Sequence, residues 1–173
     1  MSLKELTSEK HRAAEQCRFM QALIAKQLPP EVWTDFIFQK WMIYKTLEGL
    51  GGAYCGLNQV PEIYRTILLF DDYRELSNNK IGKFVPSAVD YHNYLVELGK
   101  YPDRIMAHIY VWHMGDLFGG QMIKKLASGS NRHLNFENKD QIISFIRQKI
   151  NDDMANEANL AFDYAIKIMN DLF

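Results

Sequence analysis

The helix-like stretch AHIYVWHMGDLFGGQMIKK, residues 107–125, sets three glycines around one carboxylate. Each glycine costs a helix interior up to about 1 kcal/mol relative to alanine, so Gly115, Gly119 and Gly120 together cost about 3 kcal/mol. Gly115 and Gly119 lie one turn apart and Gly120 flanks them. A helix face there has no side chains, and its backbone can touch something flat and large. A closely packed second helix is the commoner partner for such a face. Asp116 fits that partner badly, because a carboxylate beside a stripped face is a poor neighbour for a tightly packed apolar helix. A flat ligand, with the carboxylate working through water, is the other candidate. The glycine pair can also bend the helix.

A second constellation is HRAAE, residues 11–15. His11 and Glu15 are four apart and so share a helix face, where the carboxylate can accept a hydrogen bond from one imidazole nitrogen while the other binds a metal. On spacing alone, a plain surface His–Glu pair is the commoner reading. His108 and His113 are five apart, point in different directions and make a poor metal pair. Neither the paired Glu-x-x-His steps of di-iron bundles nor HExxH occurs. Cys17 and Cys55 lack CxxC spacing and are expected to be reduced and partly buried. GLGGAYCG, residues 49–56, lacks the GK[ST] ending of a phosphate loop and reads as a helix end followed by a loop.

The elements that must position these residues are helical almost throughout. Thr7 to Lys26 reads as one helix, stopped by Leu28-Pro29-Pro30. From Glu31 the residues Trp33, Phe36, Ile37, Trp41, Tyr44 and Leu47 recur at helical spacing, a broad aromatic face directed inward. Pro61 suits the start of a third helix through EIYRTILLFDDYREL, and Ser87 is placed to cap the next. Residues 128–138 form the clearest loop, and the rest is helical with a bend expected near Asn151-Asp152-Asp153. The chain of 173 residues suits one domain, 1–173, and is long enough to bury a core. With 20 Lys plus Arg against 21 Asp plus Glu, net charge is −1, which provides no electrostatic footprint for nucleic acid or an anionic membrane. No apolar run approaches the roughly 20 residues that span a bilayer, and the charged start MSLKELTSEKHR does not read as a signal peptide, so a cytoplasmic protein is expected.

Together these stretches resemble the haem oxygenase family, in a short, soluble form of the bacterial or phage kind. The distal-helix hallmark of that family resembles AHxYxRYLGDLSGGQxLKK, matched here by Ala107, His108, Tyr110, Gly115, Asp116, Leu117, Gly119, Gly120, Gln121, Lys124 and Lys125. LKELTSEKHRAAEQCRFM is similar to the proximal helix, with His11, Ala14, Glu15, Phe19 and Met20 in register. WMIYKTLE resembles the second helix, and FIRQKIN and LAF, at 145–151 and 160–162, resemble the part that closes over the haem.

The resemblance implies an all-α, single-domain haem oxygenase fold with haem b between a proximal and a distal helix. It implies His11 as the iron ligand, oriented by Glu15, and Gly115, Gly119 and Gly120 as the contact with the porphyrin. Asp116 would hold a distal water network that includes Tyr44. Lys4, Tyr110 and Arg147 would hold the propionates, and Phe162 would line the pocket. The implied reaction opens haem to biliverdin, the alpha isomer by family default, with carbon monoxide and ferrous iron released. Molecular oxygen is the co-substrate, and electrons come from a ferredoxin or another reductase. A downstream bilin reductase is a further implied partner, and a monomer is expected.

Four residues depart from the pattern. Phe118 replaces a usual serine, Trp112 an arginine tied into the distal network, His113 a tyrosine, and Ile143 a basic propionate anchor. Phe118 would crowd the haem if it faced it and would be core packing if it faced away. The main alternative function is a haem-binding carrier or sensor without turnover, for which Asp116 would have no use.

Overall fold

A computed structural model describes all 173 residues. Nine α-helices are joined by short 3₁₀ and π turns. They are α1 (Leu3–Leu6), α2 (Ser8–Gln16), α3 (Arg18–Ile24), α4 (Pro30–Leu50), α5 (Thr66–Ser77), α6 (Pro86–Glu97), α7 (Pro102–Leu126), α8 (Lys139–Lys149) and α9 (Ala155–Leu172). The two long helices, α4 and α7, are the centre of the packing: α5 and α6 lie against α4, and α8 and α9 against α7. One continuous apolar core runs through them, with Phe19, Ile37, Leu47, Tyr91, Ile105 and Ile109 fully buried.

The first helix is not one piece. It breaks at Thr7, whose hydroxyl donates to the Leu3 carbonyl at 2.9 Å, and again at Cys17, which is extended (φ −64°, ψ 155°). The second break has a packing cause. No side chain of α2 is buried, whereas α3 must bury Phe19 and Leu23, and a straight helix could not serve both faces. The carbonyl of Glu15, left over where α2 stops, accepts from Gln21 Nε2 at 2.9 Å. At the other end, Ser2 and Glu5 form a reciprocal capping box at the start of α1.

The helix expected from Pro61 is also divided. A 3₁₀ turn covers Pro61–Ile63, and α5 starts only at Thr66. The reason lies on α4: the Glu48 carboxylate accepts from the backbone N–H of Arg65 at 2.6 Å and of Thr66 at 3.0 Å, and so caps α5 from outside. Ser87 does not cap α6 either. The helix begins at Pro86, and both the Ser87 amide and its hydroxyl donate to Asp171 on α9. The expected bend near residue 151 is present as a 3₁₀ turn, Asp152–Met154, between α8 and α9. Residues 49–56 end α4 in a single π turn, Gly51–Cys55, closed by Gly56 in the left-handed region (φ 76°).

Candidate functional site: an open helix face over a buried ion pair

Helix α7 runs unbroken through its glycines because most of its length is core. Ile105, Ala107, Ile109 and Leu117 face the interior, which stabilises a helix that the glycines weaken. The three glycines do not share one face. A Cβ built at Gly115 or Gly119 meets nothing within 4 Å, whereas one at Gly120 would stand 3.1 Å from the Leu134 side chain. Gly120 therefore lets the 128–138 loop pack on α7, and the expected porphyrin contact reduces to Gly115 and Gly119. Phe118 and Met122 share the open side, 62% and 53% exposed. Phe118 is thus not core packing; it flanks the stripped face.

Helix α2 carries His11 to the surface, with 57% of its side chain exposed and no hydrogen bond at Nε2. Two contacts with α9 hold it in place: Lys10 with Asp163 at 2.6 Å, and the His11 ring edge-on to Phe162 with centroids 5.7 Å apart. Glu15 Oε2 lies 3.7 Å from His11 Nδ1, longer than a hydrogen bond, so it biases the ring by charge rather than locking it. Among the basic candidates, Lys4 and Arg147 are exposed. Tyr110 is half-buried, and burial raises its phenol above the ordinary value. Ile143, one turn before Arg147, packs against the core.

Below the open face lies a group of buried polar side chains. Asp116 is 6% exposed, and Lys40 Nζ donates to both its carboxylate oxygens at 2.7 Å. The Tyr44 hydroxyl lies 2.5 Å from Asp116 Oδ2 and 2.9 Å from the Trp112 carbonyl; its single proton goes to the carboxylate, the stronger acceptor. Burial alone would raise the Asp116 carboxyl. The positive charge of Lys40, with the hydrogen bonds from Lys40 and Tyr44, outweighs it and leaves Asp116 below the ordinary carboxylate value. Tyr44 is pushed far above the usual phenol value, by burial first and then by the Asp116 charge.

Behind Lys40 stands His133, fully buried, with Nε2 at 3.4 Å from Lys40 Nζ and Nδ1 at 2.7 Å from Asp72 Oδ2. Burial and then the Lys40 charge lower the His133 value, which keeps the ring neutral. The pairing assigns its proton: Nδ1–H donates to Asp72, and Nε2 accepts from the lysine. None of Lys40, His133 and Asp72 was picked out by motif spacing. The available signal was register: Lys40, Tyr44 and Glu48 fall four apart on the apolar face of α4, where a lysine is out of place.

The departures resolve in the same geometry. Trp112 turns away from Asp116 and donates from Nε1 to the Tyr91 hydroxyl at 3.0 Å. His113 is fully buried and bonds through Nε2 to Glu48 Oε1 at 3.1 Å, with its Nδ1 left without a partner. His108 bonds Tyr91 through Nδ1 and Glu157 through Nε2, at 2.8 and 2.9 Å. Both histidines are core ties rather than ligands of one ion.

An all-α fold with an exposed histidine helix, a side-chain-free stretch of a long helix and a buried carboxylate beneath it defines a recognisable class. The family model described as Heme oxygenase matches residues 1–153, and the chain belongs to that family. Mouse Heme oxygenase 2 is 26% identical over 203 residues, covering 98% of this chain and 64% of that protein; rat Heme oxygenase 1 is 29% identical over 136 residues, covering 73% and 47%. The chain thus spans about two thirds or less of these relatives' length. Among solved structures, heme oxygenase-1 of the cyanobacterium Synechocystis, in complex with heme, superposes with a TM-score of 0.88 at 20% identity, over 98% of this chain and 90% of that one. The heme oxygenase of Leptospira interrogans does so at 0.84 and 22%, over 96% of both. These likenesses establish the haem oxygenase fold, including α9, all of which lies beyond the residues matched by the family model. No helix is long and apolar enough to cross a membrane.

Proposed function

We propose that residues 1–173 form one haem oxygenase domain that opens haem to biliverdin, at the alpha position, with release of carbon monoxide and ferrous iron. Asp116 carries this reading. A haem carrier needs a ligand and a hydrophobic slot, but it has no use for an ionised carboxylate held beneath the distal face. The residues fit the group: Gly115 and Gly119 have open space where side chains would stand, and no α2 side chain is buried. Haem, when bound, supplies the iron centre that activates dioxygen and is itself the substrate.

His11 is the iron ligand through Nε2, with Glu15 favouring the tautomer that leaves that nitrogen unprotonated. Lys4, Tyr110 and Arg147 would hold the propionates, as cations and a hydroxyl donor suited to carboxylates. Gly115 and Gly119 let the α7 backbone approach the ring, with Phe118 and Phe162 as apolar walls. Gly120 acts one step removed, by seating the loop that brings His133 to Lys40. Asp116 holds water on the distal side as a hydrogen-bond acceptor, and Tyr44 holds its proton at Asp116 Oδ2. Electrons come from a ferredoxin or another reductase, and a bilin reductase is the downstream partner.

Titration of the purified protein with hemin tests the first step. The proposal predicts a saturable Soret band in the wild type that is lost or shifted to a weak, non-specific form in His11→Ala. An unaltered spectrum in that variant would remove His11 from the iron.

A further inference from the structure

Asp116 should be an unfavourable carboxylate. It is buried on a helix between Gly115 and the apolar Leu117, and the residue one turn before it, Trp112, is neutral and points at Tyr91. The positive charge that keeps it ionised comes from another helix. Lys40 is itself 3% exposed, and its ammonium group is fully used: two short bonds reach the two Asp116 oxygens and the third direction meets His133 Nε2. A buried lysine is costly unless every donor is paired, and this geometry pairs all three.

The support continues outward. Asp72 accepts from His133 Nδ1 at 2.7 Å and from the backbone N–H of His133 and Arg132 at 2.9 and 2.8 Å, and the half-exposed Arg132 guanidinium lies 3.4 Å from it. An unbroken line of charge-assisted contacts therefore joins the surface loop after α7 to the carboxylate under its open face.

We propose that Lys40 is a positioning residue for Asp116. Held by His133 and Asp72, it fixes the carboxylate as an anion in one orientation, and so replaces from α4 the charge that Trp112 does not provide on α7. The use made of the carboxylate rests on the haem oxygenase reading; the pairing does not.

Three measurements test this on the full chain. In the haem-free protein, ¹³C NMR titration of the Asp116 carboxyl should show a rise of ~2 pH units in Lys40→Met, the size expected when an adjacent cation is lost. An unmoved titration would overturn the proposal, and this arm stands whether or not the protein binds haem. With hemin bound, Lys40→Met should keep a wild-type Soret band but lose biliverdin formation by ~10²-fold, the scale of losing one positioned proton-handling group. Lys40→Ala should recover part of that loss on addition of methylamine or ethylamine, which a merely structural lysine would not show. Full turnover in Lys40→Met would overturn the proposal, whereas absence of any hemin band in the wild type would sink the haem reading alone. If Lys40→Met does not fold, the double variant Lys40→Met/Asp116→Asn decides. Recovery of folding there shows that the lysine serves the carboxylate, and failure to recover shows that it serves packing.

Discussion

Asp116 concentrates the account at the scale of single residues. Its carboxylate accepts from Lys40 and Tyr44, and 8% of its side chain remains accessible. Removing one member of a buried pair strands the other, at a cost of about 3 kcal/mol or more. Asp116→Ala is therefore expected to unfold in urea with that loss of stability while still binding hemin within a few-fold of wild type, because the iron ligand lies on another helix. An Asp116→Ala protein as stable as wild type would mean that Lys40 finds another partner and that the pair is loose. Asp116, His11 and Glu15 were legible in the sequence because each sits in a short motif. Lys40 and His133 were not, because their contacts join positions 76 and 93 residues apart along the chain, and periodicity shows a face without naming its partner.

Helices explain why the same residue type does two jobs on α7. Gly115 and Gly119 face open space, while Gly120 faces Leu134. Substitution should separate them. Gly115→Leu and Gly119→Leu are expected to raise the stability of the haem-free protein slightly, by about 0.5–1 kcal/mol from helix propensity, and to weaken hemin binding at least tenfold. Gly120→Leu is expected to lower stability by about 1–3 kcal/mol, because Leu134 must shift. Thermal unfolding and hemin titration on the three variants check this; equal effects at all three would mean that the face is not divided. The run of three glycines was visible in the sequence, but the division was not, because it depends on where the 128–138 loop returns. The breaks at Cys17 and Tyr64–Arg65 escaped for a similar reason. Each is imposed by a tertiary demand, the burial of Phe19 in one case and capping by Glu48 in the other.

Over the whole molecule, the buried histidines and the hydrogen-bonded carboxylates share one pH sign in the acid range. His108 and His133 are held neutral, their values lowered mainly by burial, so the unfolded chain binds more protons below about pH 6.5 and stability falls as pH drops through that range. The carboxylates add to it lower down. Burial would raise Glu157, but hydrogen bonds from His108, Tyr94 and Arg104 bring it down to about 2, and Asp116 and Asp72 are also lowered. Their contribution is complete above the ordinary carboxylate range and is lost as pH falls from that range to the lowered folded values. Thermal melts should therefore decline from pH 7 downward, and in Glu157→Gln the further fall between the ordinary value of 4.5 and about 2 should be shallower; a flat profile would contradict the burial of these groups. The all-α class and the positions of the long helices were readable from spacing alone, since α4 and α7 each carry a continuous apolar face. Their mutual placement needed the family likeness and the structure.

The most direct test of the central claim is a single-turnover assay of the hemin complex under air, reduced by ascorbate or by a ferredoxin system, with wild type and Asp116→Ala side by side. The wild-type Soret band is expected to decay as a biliverdin band grows and carbon monoxide is released. Asp116→Ala is expected to bind hemin but to form biliverdin at least ~10²-fold more slowly, as for loss of a group that handles protons in the reaction. A stable wild-type Soret band with neither biliverdin nor carbon monoxide under both reductants would contradict the oxygenase reading and leave a haem-binding protein without turnover.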